Sequence, residues 1–223
     1  MDKMSLLDYE DKVSCVLFFK ACNFACPYCH NGTTVLKSQE ILPFEEIISY
    51  LSKRKGIIDA VVFTGGEVTL MDDLKEKMQE IKDMGFLVKL DTNGTRPEVI
   101  KDLIDSHLVD YIAMDIKNSL DKYVLTTRAL KDYSNQIKES IELLIESGVP
   151  YEFRTTLVKE FHNEEDMERI GRLIAGSKRL YLQKFVDRDT CLERGLHPID
   201  IEEAKHFRDI LEQYIEQVEL RGY

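Results

Sequence analysis

Val13-Ser14-Cys15-Val16-Leu17-Phe18-Phe19 runs, through Lys20-Ala21, into Cys22-Asn23-Phe24-Ala25-Cys26-Pro27-Tyr28-Cys29. The first seven residues form a nearly continuous apolar run rich in β-formers, the pattern of a strand buried on both faces. The eight that close the stretch hold three of the chain's five cysteines, spaced C-x3-C-x2-C, in a loop expected to run to about Ser38. A buried strand that hands metal-competent residues to the loop at its C-terminal end reads as the start of a parallel α/β architecture.

The downstream sequence repeats this plan. Pro43 opens a helix carrying Phe44, Ile47, Ile48 and Leu51 on one face, expected to end at Gly56. A second buried strand, Ile57–Phe63, stops at Gly65-Gly66. Leu74, Met78 and Ile81 mark a helix closed by Gly85, and Phe86–Leu90 is a third strand. Pro97 starts a helix with Ile100, Leu103 and Ile104, followed by a fourth strand, Tyr111–Ile116. Leu120–Asp132 reads as irregular. Ile137, Ile141, Leu144 and Ile145 define the next helix, ended by Gly148, and Tyr151–Val158 is a fifth strand. A helix with Met167, Ile170 and Ile174 then leads to a sixth strand, Leu180–Val186. Asp200 with Glu203 resembles a capping box. It opens a last helix, expected over 200–217, with Phe207, Ile210, Leu211, Tyr214 and Ile215 on one face.

Six strands alternating with helices imply a parallel sheet of right-handed βαβ units. A full eight-unit barrel takes about 250 residues, so six units in 223 residues fit a partial (β/α)6 barrel better. Periodicity alone leaves a doubly wound open sheet as the alternative. No internal boundary is visible, and residues 1–223 read as one domain with a core over 13–186.

Lys and Arg total 30 against 41 Asp and Glu, a net charge of -11. Such an acidic surface repels phosphate backbones, so no nucleic-acid partner is expected, and the charge reads as solubility. Met1-Asp2-Lys3-Met4 has no basic lead into an apolar segment, and no stretch reaches membrane-spanning length. An odd cysteine count with three clustered argues against a disulfide framework and for reduced thiols in the cytoplasm. Cys15 reads as a small core residue, and Cys191 stands alone.

Nearly every expected strand ends in residues that chemistry could use: the cysteines, then Thr64-Gly65-Gly66-Glu67, Asp91-Thr92-Asn93-Gly94, and Asp115 with Lys117. The fifth strand carries Arg154, Thr155 and Thr156, and the sixth Gln183 and Lys184. Any one could be a turn or a solvated cap. Their succession along one rim points to a shared site.

Three thiolates so close together bind a soft metal or an iron–sulfur cluster. Cys22, Cys26, Cys29 and His30 could instead make a closed Cys3His zinc site. Four ligands within nine residues would staple only their own loop, and adjacent Cys29 and His30 would strain to reach one tetrahedral ion. The other reading is a [4Fe–4S] cluster with one iron lacking a protein ligand, open to a small chelate of an amine and a carboxylate.

C-x3-C-x2-C with an aromatic residue, Tyr28, before the third cysteine resembles the signature of the radical S-adenosylmethionine (SAM) superfamily. Thr64-Gly65-Gly66-Glu67 resembles that superfamily's GGE motif, with Val68 where Pro is usual. Cys29-His30-Asn31, Asp91-Thr92-Asn93-Gly94-Thr95 and Tyr111-Ile112-Ala113-Met114-Asp115-Ile116-Lys117 narrow the likeness to the glycyl-radical-enzyme activases. Within these the chain most resembles the longer form of the activating proteins of anaerobic ribonucleoside-triphosphate reductase, from about Val13 to Val186.

The resemblance implies a partial barrel of the radical SAM type, in which Cys22, Cys26 and Cys29 ligate three irons and SAM chelates the fourth. Gly65 and Gly66 carbonyls or Glu67 would take the methionine ammonium, and Arg154 the carboxylate or ribose. Tyr28, Asn93 and Gln183 would complete the cofactor site. Asp91, Thr92 and Asp115, with the Ala113 carbonyl, would hold a monovalent cation beside the SAM carboxylate. An electron from a flavodoxin or ferredoxin would break the sulfur–C5′ bond, and the 5′-deoxyadenosyl radical would take hydrogen from a glycine Cα of a partner enzyme. His30, His107, His162, His197 and His206 need no catalytic role, since hydrogen abstraction requires no general base. The rivals are small-molecule chemistry like that of 7-carboxy-7-deazaguanine synthase and a zinc-stabilised interaction module.

Overall fold

A computed structural model describes residues 1–32 and 41–223; the end of the cysteine loop, expected at about Ser38, lies outside them. The core is an eight-stranded sheet in strictly sequential order, β1 to β8. Its strands are β1 (Asp2–Ser5), β2 (Ser14–Phe19), β3 (Ala60–Gly65), β4 (Leu87–Thr92), β5 (Tyr111–Asp115), β6 (Tyr151–Leu157), β7 (Arg179–Lys184) and β8 (Gln217–Arg221). β1 pairs antiparallel with β2, and all later pairs are parallel. Sequential order with no reversal excludes the doubly wound alternative.

Five helices of nine residues or more accompany the sheet among the described residues, α1 (Phe44–Ser52), α2 (Leu74–Asp83), α3 (Pro97–Asp105), α5 (Ser134–Glu146) and α6 (Glu164–Leu173), with a sixth, α7 (Ile201–Leu211), near the end. A short α4 (Tyr123–Thr127) follows a 3-10 turn in the segment that reads as irregular. Each apolar face expected from spacing is buried: Ile47 and Leu51 on α1, Met78 and Ile81 on α2, Ile137, Ile141 and Leu144 on α5. Asn163 and Asp166 form a reciprocal capping box at α6, whereas Asp200 caps α7 by accepting the N–H groups of Glu202 and Glu203.

Two expectations change. The last helix, expected over 200–217, ends at Leu211; the Tyr214 ring lies over Gly171, where a Cβ would come within 2.4 Å. Gln217–Arg221 is then a strand, registering its Leu220 with Leu182 of β7. β1 is likewise an added strand. Its Asp-Lys-Met-Ser sequence has neither an apolar run nor β-branched residues, so only pairing with β2 makes it extended.

Alternation along the strands divides the sheet's two faces. Cys15, Leu17, Val61, Phe63, Val88, Leu90, Ile112, Met114 and Phe153 belong to the main apolar core. On the opposite face, Val16, Ala60 and Val62 of β2 and β3 meet Tyr9 in a separate apolar cluster. The same face of β4 to β6 instead presents Lys89, Asp91, Tyr111, Asp115, Glu152 and Arg154. One half of the barrel lumen is thus apolar and the other largely charged, because the period-two alternation of β4 to β6 puts Lys89, Asp91, Asp115, Glu152 and Arg154 on that face, among Leu87, Tyr111, Ala113 and Thr156.

Candidate active site

A cavity of about 360 Å³ opens at the C-terminal ends of the parallel strands. It gathers Cys22, Cys26, Cys29, Tyr28, Gly65, Gly66, Asp91, Thr92, Asn93, Asp115, Arg154 and Gln183, which come from loops and strands spread along the chain from Cys22 to Gln183. The strand-end succession seen in sequence is therefore a single wall in space.

The cysteine loop is tied to the neighbouring strand ends by its own polar side chains. Asn31 Nδ2 donates to the Gly65 carbonyl at 2.9 Å. Asn23 Nδ2 donates to Thr95 Oγ1 at 2.8 Å, and Asn93 Nδ2 donates to Asn23 Oδ1 at 2.9 Å. On the other side Glu193 N–H donates to the Pro27 carbonyl at 2.8 Å, bringing the segment after β7 across the loop. These bonds fix the cysteine loop against the neighbouring strand ends, so that all three thiols line one cavity.

Burial pushes the thiols up, Cys22 to about 11, Cys26 to about 12 and Cys29 in the same direction. The Lys117 ammonium opposes this at all three. Burial would strip Lys117 of its proton, but Asp115 first, and then Cys26, hold it well above an ordinary lysine. Lys117 Nζ donates to Asp115 Oδ2 at 2.8 Å. The sequence marks Lys117 as a strand-end and motif residue; its place beside the thiols follows only from the turn after β5. Three soft sulfur donors beside a fixed cation suit an anionic iron–sulfur cluster.

His30 does not complete a zinc site. Its ring stacks on Phe185, with centroids 5.6 Å apart, and its Nε2 is bonded to the Val186 carbonyl at 2.8 Å. Among the described residues, no three His, Cys, Asp or Glu side chains are grouped to hold one metal ion.

Gly65 and Gly66 allow a close approach, but the neighbour is the chain itself. Gly65 has φ +117, and a Cβ on Gly66 would lie 1.9 Å from the Ala21 carbonyl oxygen. Gly66 and Glu67 N–H groups donate to the Phe19 and Ala21 carbonyls, each at 2.8 Å. The turn therefore locks β3 onto the residues that launch the cysteine loop.

Glu67 is fully buried and does not line the cavity. Its Oε1 accepts from Thr69 N–H, Thr69 Oγ1 and Thr92 Oγ1, and its Oε2 from Asn93 N–H at 2.6 Å. Burial raises its pKa, and these four donors oppose the rise. Three donors fill Oε1 and one reaches Oε2, so the carboxylate is held between the β3 turn and the end of β4, behind the Gly65-Gly66 wall of the cavity. Ala113 is also buried and off the cavity wall.

Opposite the cysteines stands an ion-pair lattice. Asp115 and Arg154 are register partners on β5 and β6, and Arg154 Nε donates to Asp115 Oδ1 at 2.9 Å. Arg154 Nη1 donates to Asp91 Oδ2 at 3.2 Å. Burial would raise Asp115, but Arg154 and then Lys117 override it and hold the carboxyl at about 2. Tyr28 is buried against Phe161 and Phe185, and its hydroxyl has no hydrogen-bond partner among the described residues. Thr156 Oγ1 reaches Gln183 Oε1 at 3.5 Å across the β6–β7 pair, next to Arg154. His162, a packing residue as expected, is buried, accepts Val158 N–H at Nδ1 and bonds the Lys117 carbonyl through Nε2 at 3.0 Å.

Comparison with known proteins agrees with this geometry. The pattern of the Radical SAM superfamily matches residues 16–174. A Methanocaldococcus jannaschii protein named "Putative glycyl-radical enzyme activating enzyme MJ1227" is 36% identical over 98% of the chain and 92% of its own length. The pyruvate formate-lyase-activating enzyme of Clostridium pasteurianum is 23% identical over 98% of the chain and 96% of its length. The 7-carboxy-7-deazaguanine synthase of Thermococcus kodakarensis is 26% identical over 92% and 81%. Among solved structures, SAM-bound Streptococcus suis SuiB superposes with a TM-score of 0.74 over 94% of the chain and 50% of its own, at 11% identity.

Proposed function

The chain belongs to the radical SAM superfamily, among the glycyl-radical-enzyme activating enzymes, and from that premise we propose that it installs a glycyl radical on anaerobic ribonucleoside-triphosphate reductase. When bound, the cluster and SAM supply the electron transfer and the adenosyl radical that abstracts hydrogen. The protein's own groups hold and shield that chemistry. Cys22, Cys26 and Cys29 would ligate three irons. Arg154 and Lys117 would receive the carboxylate, and Tyr28 and Gln183 line the same cavity.

One observation carries the preference for a polypeptide substrate. The sheet is open: among the described residues β1 pairs only with β2 and β8 only with β7. A loop bearing a glycine can enter between such edges, which a closed eight-stranded barrel filled by its own side chains would not admit. The similarity to an activating enzyme over nearly the full chain supports the same reading. The electron donor would be a flavodoxin or ferredoxin, in the cytoplasm. No described helix is long and apolar enough to cross a membrane.

The test is anaerobic incubation of the cluster-loaded protein with SAM, a reductant and the reductase, followed by EPR. A glycyl-radical doublet on the reductase supports the proposal. A doublet on another glycyl radical enzyme alone would reassign the partner. Turnover of a free heterocycle with no radical on any protein would favour the deazaguanine-type reading, which the Thermococcus relative makes the second choice.

A further inference from the structure

The ion-pair lattice does not fit the monovalent cation that the family likeness implies. Such an ion would take oxygens from Asp91, Thr92, Asp115 and the Ala113 carbonyl. Both Asp115 oxygens already accept a protein cation, Arg154 Nε at 2.9 Å and Lys117 Nζ at 2.8 Å. Asp91 Oδ2 accepts from Arg154 Nη1 at 3.2 Å. Thr92 Oγ1 donates to Glu67 and accepts the Gly94 N–H at 3.1 Å. The guanidinium thus spans the two carboxylates that a metal ion would otherwise bridge.

Charge balance points the same way. Each lumen carboxylate already has a protein cation within 4 Å: Asp91 has Arg154 and Lys89, Asp115 has Arg154 and Lys117, and Glu152 has Lys89, with the part-exposed Arg221 3.6 Å away. Two buried carboxylate oxygens have no hydrogen-bond partner among the described residues, Asp91 Oδ1 and Glu152 Oε1. Both face Lys89 Nζ, at 3.9 and 3.7 Å. Those separations suit a bridging water, whereas a metal ion there would lie against an ammonium.

We propose that Arg154, seconded by Lys117, is a built-in countercharge that replaces the monovalent cation, so that this chain binds SAM without potassium or sodium. Arg154 acts as a positioning residue: it holds Asp91 and Asp115 apart from an incoming carboxylate and offers that carboxylate a fixed positive face. The inference rests on SAM binding and not on the identity of the partner protein.

The test measures SAM affinity of the cluster-loaded protein, read from the SAM-induced change in the EPR signal, in potassium, sodium and tetramethylammonium chloride at equal ionic strength. Tetramethylammonium is too bulky to enter a carboxylate cradle. Less than a threefold difference in Kd among the salts is expected. Weakening of threefold or more in tetramethylammonium, restored by potassium or sodium, would overturn the proposal. Arg154→Ala, in tetramethylammonium, should bind SAM at least tenfold more weakly and recover with potassium or millimolar guanidinium. Unchanged affinity in that variant would also overturn it. The Tm of the cluster-free protein gives a readout independent of SAM: it should be the same in potassium and tetramethylammonium for the natural sequence, and rise with potassium for Arg154→Ala. If the variant does not fold, the salt comparison on the natural sequence decides alone.

Discussion

The Glu67 carboxylate accepts the Asn93 backbone N–H at 2.6 Å, joining the turn after β3 to the end of β4 from within the protein. Asn93 in turn reaches Asn23 in the cysteine loop, so three successive strand-end segments form one hydrogen-bonded unit. The acidic residue of the Gly-Gly-Glu turn serves the scaffold, and the cofactor wall is what that scaffold positions.

Glu67→Gln should therefore lower stability before it affects any ligand. The new amide group must face either Asn93 N–H or the three donors at Oε1, leaving at least one buried donor without an acceptor. That costs about 1–3 kcal/mol, seen as a lower urea midpoint in the cluster-free protein. A variant as stable as the natural sequence would return Glu67 to the list of direct ligand contacts.

Gly66→Ala should be worse. Its Cβ would lie 1.9 Å from the Ala21 oxygen, a backbone atom that can yield only by moving the start of the cysteine loop. We expect a loss of about 2 kcal/mol or more, of the order seen for overpacking, together with faster iron release to a chelator. Natural iron-release rates in a folded Gly66→Ala protein would refute the coupling between this turn and the cysteines.

Cys26→Ala should abolish the cluster while leaving the fold. Cys26 is 6% exposed and sits in a main-core position, so truncation removes one sulfur from a packed site and no backbone bond. Iron and sulfide per chain should fall to near zero with the far-UV CD spectrum retained. Full cluster content in the variant would reassign the ligands.

Acid should destabilise the protein partly through His162. Burial lowers its pKa from 6.5, so the fold keeps it neutral while the unfolded chain takes up a proton below about pH 6.5. Stability is thus fully present above 6.5 and lost as pH falls, by up to roughly 1.4 kcal/mol per pH unit for one such group. His162→Gln should flatten the fall in urea-derived stability between pH 6.5 and 5.5. An equal slope in both proteins would show that His162 does not carry it. Asp115 acts lower: held at about 2, it contributes stability that persists above 3.8 and is lost only as pH drops towards 2.

The limits of local reading show in particular residues. Leu74, Met78 and Ile81 repeat with the helical period and are buried as expected, because one face of a helix is a local property of spacing. Gln217–Arg221 carries no such signal; it is extended because β7 offers it an edge, and the helix expected there stops six residues earlier. Lys117, Asn31 and Asn23 lie in stretches the sequence already marks, but their roles come from contacts with Asp115, Gly65 and Thr95, at separations of 2, 34 and 72 residues.

By itself the sequence determined the βα order, the three cysteines after a buried strand and the polar residues at successive strand ends, since all of these are patterns of neighbouring residues. Tertiary structure alone decided which side chains face the cofactor and which face one another. Glu67 turned inward because four donors converge on it, and Arg154 settled between Asp91 and Asp115 because the register sets it beside Asp115 while Asp91, opposite the small Ala113, lies on the same face of the sheet. Charge compensation in a buried lumen depends on distances of a few ångströms between residues far apart in the chain, and no local pattern records them.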